Sequence, residues 1–373
     1  MNAHEIWQAI ANGLSLGCLI GLLAVGYSLV YGVAKLINFA HGDLFALAGY
    51  YLLFFLAASP TGQLRNTVFL FTGATAVVAF AWSSHFMKGR RRLVVGCGGG
   101  VLGGLFGYLL IGTSIPLLFA VLAATVFTAL TGIALEYLVY RPLEGSPRLS
   151  YLVAAIGLSL SLQGLMQILF GTDHRAFPSS VNAQISALPV PPILVGYFSG
   201  LDLLIIGFTV AITTVAAWFA KKSIFGICIR ATADDPVLAE RLGLNVRSAK
   251  VQVFAIGSAL AAICAFFFVA RERTLEPTLG YSQGILAFAA AVIGGIGSFE
   301  GSLIGGLFIG MILSLLPLVD TEPLVRFLPP SWVQFLPSLN LSDWGLGVVY
   351  MLMALVLIIR PRGLLTERSW RDV

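Results

Sequence analysis

The sequence predicts an all-α, polytopic transmembrane helical bundle of about 9–11 spans, and three observations carry that expectation. Of 373 residues, 58% are hydrophobic and only 10% are charged, with a mean hydropathy of +0.92. Soluble domains carry about 25% charged residues. Long apolar runs recur along the whole chain, and Lys and Arg gather in alternate gaps between them.

The first run, residues 13–31, contains no charged side chain. Comparable runs lie near 43–58, 67–87, 93–111, 115–135, 150–170, 201–220, 251–270, 281–299, 301–319 and 344–359. A bilayer core takes about 20 residues of helix, with about 17–25 the usual range. Eleven runs of that length would be an implausible share of a soluble chain. The first run does not read as a signal peptide, because Glu5 precedes it and Tyr-Gly-Val-Ala-Lys follows it where a small-residue cleavage site would stand. It is expected to stay in the mature protein. Cys18, Cys97, Cys228 and Cys264 are too scattered for a disulfide framework or a metal cluster and read as apolar fillers.

If the runs alternate, Lys and Arg should collect on the cytoplasmic side. Of the 22 basic residues, only Arg65, Arg175, Arg271, Arg273 and Arg326 fall on the opposite side. The expected orientation therefore has an external N-terminus and a cytoplasmic C-terminus. On this reading the net charge of +5 is membrane orientation. No basic patch is interleaved with stacking aromatics, so no nucleic-acid partner is expected. Two stretches, 38–51 and 281–296, are short or polar enough to be re-entrant or broken helices, which must be buried in protein or line a cavity.

Gly13, Gly17 and Gly21 recur every four residues, as do Gly99, Gly103 and Gly107. Gly297, Gly301 and Gly305 repeat the spacing across a turn, and Gly306 and Gly310 continue it. Small residues at this period let helix backbones approach closely, so helix packing is the expected role.

Asn38, His41 and Asp43 form a polar cluster just after Lys35. Two roles are open to it. Asn38 and Asp43 could cap the following helix and favour its positive end, or the cluster could contribute to a translocation route. His41 has no H-x-x-x-H partner for a metal. Glu136 and Asp202 stand near span margins, where snorkelling or pairing accounts for them. No nucleophile or general-base constellation is present, so no enzyme is expected.

Residues 221–250 form the longest cytoplasmic connection on this threading. Asp235 reads as a helix cap, Pro236 as the first helical position and Gly243 as the stop. The short helix between them carries apolar and charged side chains, suited to a membrane surface or to a docking partner.

Several stretches together carry a family resemblance. They are Tyr31-Gly-Val-Ala-Lys-Leu-Ile-Asn-Phe-Ala-His-Gly-Asp43, Tyr140-Arg-Pro-Leu-Glu-Gly-Ser-Pro-Arg-Leu149 and Ala155-Ile-Gly-Leu-Ser159, then Gly226 with Arg230-Ala-Thr-Ala and Ala239-Glu-Arg-Leu-Gly-Leu-Asn-Val246. Later come Ala289-Ala-Ala-Val-Ile-Gly-Gly-Ile-Gly-Ser298 with Gly301, and Arg360-Pro-Arg-Gly-Leu364. In this order they resemble the permeases of the branched-chain amino acid ABC importers, specifically the H-type subunit.

The resemblance implies a single permease domain over 1–373 in a bacterial inner membrane, importing branched-chain or related small amino acids. It implies a related second permease, two cytoplasmic ABC ATPases that hold ATP and Mg, and an external or periplasmic substrate-binding protein. This chain itself has no G-x-x-x-x-G-K-[S/T] motif and is expected to bind no cofactor. Asn38, His41, Asp43, Gly294, Gly295 and Gly297 become candidates for the substrate pathway. Arg230, Asp235, Ala239, Glu240 and Gly243 become candidates for ATPase coupling, with Ala239 and Gly243 at the bend that fits an ATPase groove. A zwitterionic cargo is accommodated by helix ends and backbone dipoles.

Two departures stand out. Residues 66–114 have room for an extra hairpin, and 317–343 form an external expansion rich in Pro and Trp. Related permeases move urea or short amides on the same framework, so cargo stays open between these and amino acids. An ion-coupled secondary transporter would instead show a matched pair of broken helices with embedded ionisable groups.

Overall fold

A computed structural model describes residues 3–56, 67–83, 90–109, 116–319, 344–361 and 363–365. The expected expansion at 317–343 lies outside them apart from its first three residues.

Each apolar run contains a helix. Six helices are long and apolar enough to cross a membrane, and five shorter apolar ones accompany them among the described residues. In chain order they begin with α1 (Ala3–Ala34), α2 (Ala40–Leu56), α3 (Thr67–Ser83), α4 (Arg90–Leu109) and α5 (Leu117–Leu135). A π-helical turn (Glu136–Tyr140) and a 3-10 turn (Arg141–Leu143) prolong α5. Then follow α6 (Arg148–Phe170), α7 (Ser179–Ser186), α8 (Gly200–Lys222), α9 (Ile224–Asp234), α10 (Pro236–Arg241) and α11 (Val246–Glu272). The last are α12 (Leu279–Gly294), α13 (Phe299–Leu315) and α14 (Gly345–Ile359). Two-residue strands, β1 (Arg175–Ala176) and β2 (Thr274–Leu275), pair antiparallel.

The centre of the bundle is α2. All 17 of its residues are buried, and α5, α11 and α12 pack along it. A helix surrounded on every side needs no polar face, which is why its composition beyond Asp43 is apolar all round. Tyr51, Phe55, Phe71 and Phe127 join α2, α3 and α5 through an aromatic cluster, with Phe71 and Phe127 ring centroids 4.1 Å apart.

The glycine stripes are packing devices. A Cβ at Gly17 would stand 2.7 Å from the Leu307 Cα, and Gly306 and Gly310 meet the backbones of Gly21 and Gly17 in return. The stripe on α1 therefore interlocks with the one on α13, and the hydroxyls of Ser28 and Ser302 clasp the same pair of helices. On α4, Gly99 and Gly103 face Ala79 and Thr75 of α3, which makes α3 and α4 a close helical hairpin.

Both stretches expected to be re-entrant or broken are continuous but short helices. At 17 and 16 residues, α2 and α12 are about 25 Å long, against a hydrocarbon core of about 30 Å. The chain reaches α12 from α11 through β2, and α12 starts against the first turn of α2.

Ion pairs respect the alternation read from the charges. Arg141 pairs with Glu136 at 2.9 Å, Lys221 with Glu300 at 2.6 Å and Lys250 with Glu144 at 2.9 Å, all on one predicted side. Arg271 with Asp202 at 3.4 Å and His174 with Glu276 at 3.5 Å lie on the other. Asp202 also completes a capping box with Ser199 at the start of α8.

Candidate functional site

The polar cluster is built on the first turn of α2. Lys35 leaves the helical region at φ 51°, which ends α1, and the His41 N–H donating to the Asn38 carbonyl at 3.0 Å opens α2. The expected cap is not made by the Asn38 side chain. Its Oδ1 instead accepts from the Tyr140 hydroxyl at 2.5 Å, and both groups are buried. The π-helical turn carries Tyr140, and Arg141 braces it by reaching back to Glu136 and lying 4.7 Å from the Tyr137 ring centroid.

His41 enters a slot made of glycine. Its Nε2 lies 2.5 Å from where a Gly26 Cβ would stand, and Gly257 closes the other side. Tyr27 packs edge-on to the imidazole at 4.7 Å between centroids. Neither imidazole nitrogen has a hydrogen-bond partner of normal geometry, although the ring faces the Leu23 carbonyl.

Asp43 faces α6. Its Oδ2 accepts from Ser159 Oγ at 2.5 Å, and Ser159 in turn accepts from Gln163 Nε2 at 3.1 Å. The other carboxylate oxygen, Oδ1, is buried without a donor. A buried polar oxygen without a partner costs about 1–3 kcal/mol, and more when charged. The arrangement therefore holds a free acceptor inside the bundle. Among the described residues no three His, Cys, Asp or Glu side chains gather as a metal ion requires.

The backbone beside these groups is bare. Gly42 of α2 crosses Gly280 and Gly284 of α12 in direct contact, and a Cβ at Gly280 would stand 2.7 Å from the Asp43 Cα. A side chain at Gly42 or Gly280 would push the two helices apart.

Gly294, Gly295 and Gly297 are at the far end of α12. Gly294 abuts Gly301 on α13, and Gly295 and Gly297 turn the chain with φ of 111° and 97°. Leu364 and Leu365 donate their N–H groups to the Ile293 and Gly294 carbonyls at 2.9 Å each, so the segment after α14 satisfies carbonyls at the end of α12. These glycines thus have a close-packing and turning role.

In the 221–250 connection, Asp235 Oδ1 accepts from the Val237 and Leu238 N–H groups at 3.0 Å each, with Pro236 at the first helical position. Gly243, at φ 85°, ends α10: its N–H donates to the Glu240 carbonyl and that of Leu244 to the Ala239 carbonyl, a Schellman motif. Arg230 on α9 donates to the Ala220 and Lys221 carbonyls at the end of α8. Ala239 points inward, at 1% exposure, so the face of α10 open to a partner carries Val237, Leu238, Glu240 and Leu242.

The fold therefore joins Asn38, His41 and Asp43 in one buried region and groups Arg230, Asp235, Glu240 and Gly243 in one connection. Tyr140, Ser159 and Gln163 are partners that the sequence reading did not name as site residues. Tyr140 opens one of the quoted stretches and Ser159 closes another, yet no local signal indicates that both converge on α2.

The model of the family described as branched-chain amino acid transport system / permease component matches residues 9–357. The chain is 29% identical over 310 residues to the high-affinity branched-chain amino acid transport system permease protein BraD of Pseudomonas aeruginosa, covering 83% of this chain and 85% of that protein. It is 28% identical over 373 residues to LivH of Escherichia coli, whose name carries the same description, covering 96% and 94%. It is also 29% identical over 190 residues to the ribose import permease protein RbsC of Haemophilus influenzae, covering 48% and 56%. The chain belongs to the family of branched-chain amino acid transport system permease components.

Proposed function

We propose that this chain is the H-type permease subunit of an ABC importer for branched-chain or related small amino acids in a bacterial inner membrane. The observation that carries the coupling half of this reading is α10. It is capped at both ends, and it presents Val237, Leu238 and Leu242 at 60%, 53% and 71% exposure on a connection between two spans. A six-residue helix is too short to persist alone. Its two caps hold it in shape as a rigid peg for the groove of a cytoplasmic ATPase. Asp235 and Gly243 shape the peg, and Arg230 anchors the preceding helix to the end of α8.

The membrane half rests on the buried Asn38, His41 and Asp43 cluster, which gives a zwitterion polar contacts on its way past lipid. A related second permease would complete the pathway, and an external binding protein would deliver cargo to it. ATP binding and hydrolysis on the two partner ATPases would then switch the bundle between outward-open and inward-open packings. The N-terminus is external and the C-terminus cytoplasmic in this reading, in line with the basic residues and the sorted ion pairs. The amino-acid cargo is supported by BraD and LivH, the relatives similar over most of the chain, which are branched-chain amino acid transport permeases.

Two measurements test it. Detergent co-purification is expected to recover a second permease and two ATPases. Uptake into proteoliposomes holding that complex is expected for leucine and not for urea, short amides or ribose. An isolated chain that transports by an ion gradient would sink the reading.

A further inference from the structure

The ends of α8 fix where the bilayer lies. Residues 203–220 carry no charged side chain, and they stand between Asp202 and the pair Lys221 and Lys222. A helix of that length spans about 27 Å, close to a hydrocarbon core of about 30 Å. The two lysines therefore stand at headgroup level, on the side of the bundle that the basic residues mark as cytoplasmic. Trp218 and Phe219, both exposed, lie within a turn of them, as aromatic side chains do at a membrane interface.

From there α9 folds back across the end of α8. Ser223 caps it, and Gly226 rests against the Ala220 carbonyl with no room for a Cβ. Arg230, one turn on, donates to the Ala220 carbonyl and to the Lys221 carbonyl at 3.3 Å. Both contacts hold α9 at the level where α8 ends. Phe225 and Ile229 line an apolar cavity of about 80 Å³ together with Leu29 of α1 and Phe299 of α13. The other two isoleucines, Ile224 and Ile227, are 82% and 52% exposed. Residues 224–229 thus form an apolar run directly after two lysines, and part of it has no cover within this chain.

We propose that α9 lies in the membrane interface, and that Lys222, Ile224 and Ile227 form a binding surface for an anionic phospholipid. The choice of the cytoplasmic leaflet rests on the import reading above, whereas the lipid contact does not. Ile224 and Ile227 enter the boundary between headgroups and acyl chains, continuing the exposed apolar surface that Val215 and Trp218 begin on α8. Glu300 holds Lys221 at 2.6 Å. Lys222 is exposed and has no ion pair among the described residues, so its ammonium meets a lipid phosphate. The positive end of the 11-residue α9 adds to the attraction. Asp234 and Asp235 follow at the other end of α9, and their charge keeps α10 away from an anionic surface. The connection therefore rests on lipid through α9 and leaves the exposed side chains of α10 to a protein.

The test uses the full chain with its partner subunits in bilayers of equal phosphatidylcholine and phosphatidylglycerol, in a Cys97→Ser, Cys228→Ser background. Ile227→Cys carries a nitrobenzoxadiazole fluorophore, and one lipid at a time bears a nitroxide near the top of its acyl chain. Nitroxide on phosphatidylglycerol is expected to quench the label several-fold more than nitroxide on phosphatidylcholine, and aqueous iodide to quench it little. Adding Lys222→Gln is expected to make the two lipids equal. The same label on Asp234→Cys, an exposed position, is expected to answer to iodide and not to lipid, and its quenching by lipid like Ile227→Cys would remove the interfacial placement. Strong iodide quenching at Ile227→Cys overturns the membrane contact, and shielding from both quenchers shows that a protein covers this surface instead. Equal quenching by the two lipids before Lys222 is changed, or an undiminished difference after it, overturns the anionic site. Quenching needs no transport, so a complex that fails to import leucine counts against the import reading alone.

Discussion

Ser159 donates its hydroxyl to the carboxylate of Asp43 at 2.5 Å, across 116 positions of sequence. This hydrogen bond ties α6 to the central helix. Ser159→Ala would take the hydroxyl donor from Oδ2 of a buried carboxylate, at a cost of about 1–3 kcal/mol. The variant is expected to unfold at lower temperature in detergent, and Asp43→Asn in the same chain should recover part of the loss. An unchanged melting temperature for Ser159→Ala would show that water reaches the carboxylate.

The α1–α13 contact predicts unequal glycines. Gly306→Leu places a side chain against the Gly21 backbone, whereas a Cβ at Gly98 meets nothing within 4 Å. Overpacking costs about 1–3 kcal/mol or more. Removing an open helical glycine gains about 0.5–1 kcal/mol. Thermal stability of the two variants, Gly306→Leu and Gly98→Ala, should therefore move in opposite directions.

The exposed face of α10 predicts loss of coupling without loss of fold. Leu238→Asp changes a surface side chain, which alters stability by only about 0.5 kcal/mol. At the centre of an interface the same position is worth about 2 kcal/mol or more. The ATPase is expected to bind at least about tenfold more weakly, measured by titrating ATPase onto the immobilised permease. Binding equal to wild type would place the contact elsewhere.

Gly243→Val forces a β-branched residue to φ 85°, at about 1–2 kcal/mol. The cap of α10 should loosen, with faster hydrogen exchange at Gly243 and Leu244 and weaker stimulation of ATP hydrolysis. Membrane insertion should be unchanged. Protection equal to wild type at both amides would count against the cap.

The end of α12 depends on a distant residue. A Cβ at Gly363 would stand 2.5 Å from the Gly295 Cα, and Gly363 itself has φ 83°. Gly363→Val is expected to displace Leu364 and Leu365 from the Ile293 and Gly294 carbonyls and to lower stability by at least about 1 kcal/mol. A melting temperature equal to wild type would rule this out.

Much of the architecture was legible because membranes make composition informative. With no water to satisfy the backbone, an apolar run of span length has little choice but helix, and each of the eleven runs holds one. Cap chemistry was equally local. Asp235, Pro236 and Gly243 act within a few residues of themselves, so α10 was readable with both its ends. The glycine period likewise announced close packing. Its partner was not announced, because a stripe on α1 says nothing about which of the other helices carries the matching one.

The convergence of chemistry was decided only by tertiary structure. Asn38 has the side chain of a helix cap, and local propensity favoured that role. The turn after α5 brings a tyrosine hydroxyl within reach, and a buried hydrogen bond from 102 residues away won over the local one. Gly294 and Gly295 stood in one quoted stretch and Gly363 in another, with no hint that one closes the helix end of the other. Sequence alone determined that this chain is a multispanning helical bundle with a capped connection around Asp235 and Gly243, since those outcomes follow from solvent and from neighbours a few residues apart. Which helix lies at the centre, where Asp43 finds Ser159 and which helices the glycines of α12 meet depend on helices far apart in sequence packing together, and only the folded chain specifies that.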